Sequence, residues 1–302
     1  MEYIRESGKI DDESYIIDAK SWGIEKQNAV YLIKGSKVVL IDCGTRGDAR
    51  KINKYITKEL GCEKIDYIII THGHIDHYGG ISYFLKKYDQ IKIVVSEKSK
   101  KMLKEISSII NNNNLNSKIL TVKEGNKLNI GNLHDLQFLE TPGHSSDHIS
   151  VFDLKTKFLF VGDSAGAFHI GENFCRPTAY YPDFEFTKYM KTLKRFLSME
   201  INGIGIASYG FVIGPKSKKV LKFGLKTFID WYNVIKREYK AGKSIDDIYM
   251  TIINEFGKSP GEIKENRPEA WIKKFLSSSI HGFIEYIKEE LKVSSSKNKG
   301  AL

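Results

Sequence analysis

The segment Thr71-His72-Gly73-His74-Ile75-Asp76-His77 constrains this chain more than any other stretch. It places three imidazoles and a carboxylate directly after the apolar run Ile65-Asp66-Tyr67-Ile68-Ile69-Ile70, whose length and β-branched content predict a buried strand. The polar cluster therefore sits where a strand ends and a loop begins. Side chains two apart on an extended stretch point the same way, so His72 and His74 can converge on one ion. Past a turn at Ile75, Asp76 and His77 face a neighbouring position. The chain has only eight histidines in 302 residues, so three within this segment read as a metal site and not as chance. Nitrogen and carboxylate ligands at this density suit zinc, iron or manganese, and imidazole favours the first two.

A cluster of this size is incomplete for two ions, so partners are expected elsewhere. In Glu140-Thr141-Pro142-Gly143-His144, an alternating apolar stretch runs into a Pro-Gly turn that presents His144 at a strand end. In Phe158-Leu159-Phe160-Val161-Gly162-Asp163, another buried strand finishes in a carboxylate whose two oxygens can bridge two cations. Asp42, closing Val38-Val39-Leu40-Ile41-Asp42-Cys43-Gly44, is placed to orient a ligand from behind.

These segments occur in the order and spacing of the metallo-β-lactamase superfamily, and the chain resembles its hydroxyacylglutathione-hydrolase (glyoxalase II) and lactonase branch from about residue 13 to about residue 215. The resemblance implies an α/β (α+β) chain folded as an αββα sandwich with metals at one edge. It also implies that His72, His74 and His144 hold one metal, that Asp76 and His77 hold another, and that Asp163 bridges them. One departure stands out. Superfamily members end the site with a histidine after the next strand, here Gly203-Ile204-Gly205-Ile206-Ala207, and the matching position holds Ser208 or Tyr209, depending on how the turn is aligned. Neither is a good zinc ligand, although a tyrosinate can bind ferric iron. A weaker second ion, or a single-metal enzyme, is therefore expected. His169 and His281 could fill the gap but read as ordinary histidines, and His148 reads as structural.

At 302 residues the chain can bury a large core, and 41% hydrophobic content is ordinary for a globular protein. No apolar run reaches the ~18 residues needed to cross a bilayer. Residues 1–7 lack a signal-peptide layout, and Cys43, Cys62 and Cys175 suggest no disulfide framework, so a cytoplasmic location is expected. The net charge of +10 is spread along the chain and not gathered in a patch, which argues against a nucleic-acid partner. No membrane partner is expected either.

Strands and helices alternate up to Ala207, and the pattern becomes helical from Lys216 onward. Val220, Leu221, Phe223, Leu225, Phe228, Trp231, Tyr232 and Ile235 form an apolar stripe, and Ser244 with Asp247 makes a capping-box-like start for the next helix. Two further helices are predicted over Pro268 to Leu276 and Ile280 to Leu291. The expected division is 1–215 as the metallo-β-lactamase-like domain, 216–294 as a C-terminal helical subdomain, and 295–302 as a flexible tail. The subdomain is expected to shape the pocket or a homodimer interface. The connection Gly166 to Asp183 begins at a ligand and is the candidate substrate wall, with Arg176 able to meet a substrate carboxylate.

The expected function is a metallohydrolase that uses metal-bound hydroxide on a small thioester or lactone, with one or two zinc ions (iron or manganese being alternatives) and Asp76 orienting the nucleophile or taking its proton. Two alternatives remain. One is a mononuclear non-haem iron enzyme resembling persulfide dioxygenases, with His72, His144 and Asp163 as a facial triad. The other is a degenerate member that binds a small molecule without turnover.

Overall fold

A computed structural model describes residues 3–109, 115–169, 174–256 and 269–299. Residues 110–114, Pro268 and part of the 166–183 connection lie outside the described residues.

Two seven-stranded sheets form the centre. One runs β1 (Tyr3–Ile4), β16 (Gly210–Ile213), β15 (Gly203–Ile206), β12 (Phe158–Phe160), β11 (Ile149–Asp153), β10 (His134–Glu140) and β9 (Lys127–Gly131). The other runs in chain order: β2 (Gly8–Lys9), β3 (Ser14–Asp18), β4 (Ala29–Lys34), β5 (Val38–Ile41), β6 (Tyr67–Ile69), β7 (Lys92–Ser96) and β8 (Ile119–Val122). In the second sheet β5 to β8 are parallel, which explains their unbroken apolar character, because helices cover such strands on the outside. A separate hairpin pairs β13 (Ala167–His169) with β14 (Phe174–Arg176).

Side-chain alternation sorts each strand between two cores. Val39, Ile41 and Ile69 face inward and meet Phe138, Val151, Phe160 and Phe211 of the opposite sheet. Leu40 and Ile68 face outward, under Ile52 and Ile56 of α1 (Ala49–Lys58), Phe84 of α3 (Ile81–Lys87) and Met102 of α4 (Lys100–Ile109). Short helices α2 (Ile75–Tyr78) and α5 (Leu115–Lys118) lie between these elements in the chain. On the far side, Leu159, Ile204 and Val212 pack under α6 (Phe186–Ser198), α7 (Lys216–Lys240), α8 (Ile245–Phe256) and α9 (Glu269–Lys299). The result is the αββα sandwich with a C-terminal helical part. Those last helices share one apolar cluster with the sheet, in which Trp231, Phe228 and Phe283 are fully buried. Burying side chains of this size contributes about 1.5–3 kcal/mol each.

The predicted capping box starts α8, with the Asp247 amide donating to Ser244 Oγ and the Ser244 amide donating to the Asp247 carboxylate. One element differs from expectation. The break predicted at Ser277-Ser278-Ser279 is absent, and α9 runs straight through. Ser278 donates its hydroxyl to the Lys274 carbonyl one turn back, and Ser279 donates to the Pro177 carbonyl at 2.6 Å with the Phe275 carbonyl 3.1 Å away, so both serines are satisfied without breaking the helix.

Candidate metal centre

Five chain segments end at one edge of the sandwich. The turn after β5 carries Asp42, and the turn after β6 carries Thr71 to His77. The turns after β10 and β12 carry His144 and Asp163, and the β15–β16 connection carries Ser208. Two glycines make the close approach possible. A Cβ on Gly143 (φ +137°) would lie 2.4 Å from the backbone of Tyr189, and one on Gly162 (φ +52°) would lie 2.8 Å from His148 Nε2. Any other residue at either position would push a ligand-bearing turn outward.

Three imidazoles converge. His72 Nε2 is 2.9 Å from His74 Nδ1 and 3.1 Å from His144 Nε2, and the His144 and His74 nitrogens are 2.9 Å apart. The ring partners fix the tautomers. His144 Nδ1 lies 2.7 Å from the Thr178 carbonyl, which only accepts, so Nδ1 carries the proton and Nε2 presents a lone pair. The Thr71 hydroxyl is 2.9 Å from an Asp42 carboxylate oxygen and donates to it, so it accepts from His72 Nδ1 at 3.0 Å. Again Nε2 is left with a lone pair. Lone pairs facing each other at this separation call for a cation between them.

A second cluster adjoins the first. His77 Nδ1 donates to Asp42 Oδ2 at 2.8 Å, and its Nε2 is buried without a hydrogen-bond partner. That orphaned nitrogen is 3.8 Å from Asp163 Oδ2 and 3.7 Å from Asp76 Oδ2, while Asp163 Oδ2 is also 3.5 Å from His144 Nε2. Asp163 therefore lies between the two clusters. A buried imidazole nitrogen without a hydrogen-bond partner, facing two carboxylates, is a donor set suited to a cation, so the residues present fit a metal. Two groups have ligand atoms close enough to share an ion: His72, His74 and His144, and His72, His77 and Asp163.

The electrostatics agree. Burial pushes His72 and His148 well below the ordinary imidazole value, His144 down to about 3, and His74 down to about 4, with nearby imidazoles adding to the effect at His72, His74 and His148. These rings stay neutral and keep their lone pairs. Burial also lowers His77, but the carboxylates of Asp42, Asp76 and Asp163 outweigh it and hold the ring up at about 10. Burial raises the Asp76 carboxyl, with His77 opposing.

His134, His148 and His281 fall outside the cluster, and the side chain of His169 lies outside the described residues. His148 accepts from the Asp163 amide at 3.2 Å and pairs with the Thr141 hydroxyl at 2.8 Å, a structural role. The exposed His281 ring packs on Tyr181 and lies 3.9 Å from Glu285. Between Ser208 and Tyr209 the geometry chooses. The Ser208 hydroxyl is 3.4 Å from Asp163 Oδ1, whereas Tyr209 is buried between the sheets. Sequence reasoning missed Asn28, which donates to the Asp76 carbonyl at 2.7 Å, and Thr178, whose hydroxyl holds the Asp163 carbonyl at 2.7 Å. No motif marks either residue. Beside His74 opens a cleft of about 300 Å³ lined by Tyr78, Lys98, Lys101, Met102, Glu105 and Asp147, among others.

Comparison with known proteins fits this geometry. Residues 23–202 match the metallo-beta-lactamase superfamily. The chain is 30% identical over 208 residues to the metallo-beta-lactamase fold-containing protein ST1585 of Sulfurisphaera tokodaii, an alignment spanning 62% of this chain and 74% of that one. The crystal structure of ST1585 superposes with a TM-score of 0.62 and 25% identity, covering 90% of this chain and 98% of the other. A hydroxyacylglutathione hydrolase of Idiomarina loihiensis is 30% identical over 51% of this chain and 47% of its own length. An anaerobic nitric oxide reductase flavorubredoxin of Vibrio vulnificus is 25% identical over 65% of this chain and 37% of its own. The chain thus spans less than half the length of these last two relatives. With the matched region covering most of both sheets and all the converging side chains from His72 to Asp163, the chain belongs to the metallo-beta-lactamase superfamily.

Proposed function

We propose that this protein is a metal-dependent hydrolase of a small ester-type substrate, a thioester or a lactone. The observation that carries the reading is the convergence of three neutral imidazoles beside a carboxylate, Asp163, that also faces His77. His72, His74 and His144 would hold one ion, and Asp76, His77 and Asp163 a second, weaker one. Zinc or iron bound there lowers the pKa of water towards about 7 and polarises a carbonyl oxygen.

The protein's own groups do the rest. Asp76 keeps 22% of its side chain open to solvent while the His77 ring beside it is almost fully enclosed. Its Oδ2 is placed to orient a water molecule and to take up its proton, and burial of the carboxyl makes it a better base. Asp42, Thr71 and Thr178 hold the rings in the tautomers the site needs. The similarity to a hydroxyacylglutathione hydrolase favours a thioester.

Purified protein is expected to contain about one to two zinc or iron ions per chain and to hydrolyse members of a thioester and lactone panel. Exhaustive chelation should abolish turnover, and zinc should restore it. Full activity in metal-free protein sinks the reading. A second reading, redox chemistry at iron, is favoured by the likeness to flavorubredoxins and by the serine at position 208, which leaves a site poor in nitrogen ligands. Oxygen uptake with a persulfide substrate by iron-loaded protein, without ester turnover, would decide for it.

A further inference from the structure

Arg176 is only 7% exposed, yet no carboxylate among the described residues pairs with it. Its Nη1 donates to the Tyr180 hydroxyl at 2.6 Å and to Ser279 Oγ of α9 at 3.0 Å, and the guanidinium lies 5.2 Å from the Phe275 ring. The Ser279 hydroxyl is in turn bound to the Pro177 carbonyl at 2.6 Å. A buried cation fixed on three sides with no counter-charge among the described residues is unusual, because an unpaired buried charge is costly. It lies beside the candidate metal centre. The Tyr180 ring stands edge-on to His74 and His144, with centroids 6.1 and 5.8 Å away.

The donor accounting is decisive. Arginine has no acceptor, so the Tyr180 oxygen must accept from it, and the phenol's own hydrogen is left uncommitted. A phenol keeps its hydrogen at neutral pH, so that hydrogen is there to donate.

We propose that Tyr180, polarised by Arg176, is a catalytic residue whose hydroxyl donates a hydrogen bond to the substrate oxygen that becomes negative during hydrolysis. When the water-derived nucleophile adds to the carbonyl carbon, the C=O electron pair moves onto that oxygen. Tyr180 donates a hydrogen bond to it without surrendering its proton, and the Arg176 charge behind the phenol strengthens the donation. The substrate here rests on the ester-hydrolase reading, while the donor itself does not.

Tyr180→Phe keeps the ring against His74 and His144 and removes the hydroxyl, and with it both the proposed donor and the acceptor of the Arg176 bond. The zinc-loaded wild type and variant are compared for zinc content, thermal melting, turnover of the ester panel, and calorimetric affinity for inorganic phosphate as an oxyanion probe. With zinc content and melting unchanged, kcat is expected to fall about ten- to a hundredfold with little change in KM, and phosphate affinity to fall by a similar factor. Unchanged turnover and phosphate affinity overturn the assignment, and so does loss of zinc from the variant, which would mark a structural role. Should the wild type hydrolyse no ester but bind phosphate through Tyr180, the donor stands and the hydrolase reading falls. Should it neither hydrolyse esters nor bind phosphate, the donor assignment is overturned as well.

Discussion

His77 shows how one side chain can carry the case for a bound cation and also explain why the second ion proposed here would be held weakly. Its Nδ1 is committed to Asp42, and its Nε2 has no partner although it is buried. The surrounding carboxylates hold the ring up at about 10 against the effect of burial, so an ion entering this cluster must displace a proton at neutral pH. The chain also offers Ser208 where related proteins carry a last imidazole. A serine hydroxyl remains protonated at neutral pH and is a poor ligand, and at 3.4 Å it does no more than touch Asp163 Oδ1. Ser208→His should supply the missing nitrogen and raise metal content from about one ion per chain towards two, as read by elemental analysis after dialysis against buffered zinc. Unchanged content in a folded variant would show that this position does not face the second ion. His72, His74, Asp76 and His77 were visible in the sequence because they sit side by side after a strand. Ser208 and Tyr209 were not separable there, because one residue of register at a strand end decides which side chain reaches the site.

Elements bring the two halves of the site together, and one ion cluster near the β3 and β10 ends shows what holds them. Glu13, just before β3, reaches across to the buried His134 at the start of β10 (2.9 Å), and Lys155, just after β11, also pairs with Glu13. His134 binds Asp153 of β11 at 2.7 Å on its other nitrogen. Lys155 and then His134 lower the Glu13 carboxyl from 4.5 to about 2. Burial lowers His134, but Asp153 and Glu13 outweigh it, so the ring ends above its ordinary 6.5. The signs are opposite. The Glu13 contribution is present above pH 4.5 and lost as pH falls through about 2, whereas that of His134 is present below 6.5 and lost as pH rises beyond its raised value. Both act together between pH 4.5 and 6.5. Glu13→Gln should therefore lower the melting temperature most in that window and progressively less towards pH 2, as read by thermal melts across pH. A loss equal at every pH would show that packing, not charge, holds this corner. Nothing in the sequence pairs Glu13 with His134, since contacts so distant along the chain leave no periodic trace. The strands themselves were legible from β-branched runs, and α7 and α8 from apolar stripes and a capping box.

At the scale of the whole molecule, the metal edge is where two independently built halves meet. His72, His74 and His77 follow a strand of one sheet, while His144 and Asp163 follow strands of the other. The motifs made this meeting legible from sequence, because each ligand lies at the end of an apolar run and strand ends of stacked sheets share an edge. The C-terminal helices were legible as helices only. That α9 fixes Arg176, whose neighbours Thr178 and Tyr180 touch His144, depends on tertiary packing that no local pattern encodes. An ion held as proposed would span both sheets and find no such site in the unfolded chain, so it should stabilise the molecule by mass action. At a free concentration about a thousandfold above its dissociation constant it contributes about 4 kcal/mol. For a chain of 302 residues that corresponds to a fall of roughly 6 °C in Tm on complete chelation. Calorimetric melts of the protein as purified, after chelation and after return of zinc should show the drop and its reversal. Superimposable melts in all three states would mean that the converging imidazoles hold no ion that matters to the fold, and the reading of this edge as a metal centre would fail with them.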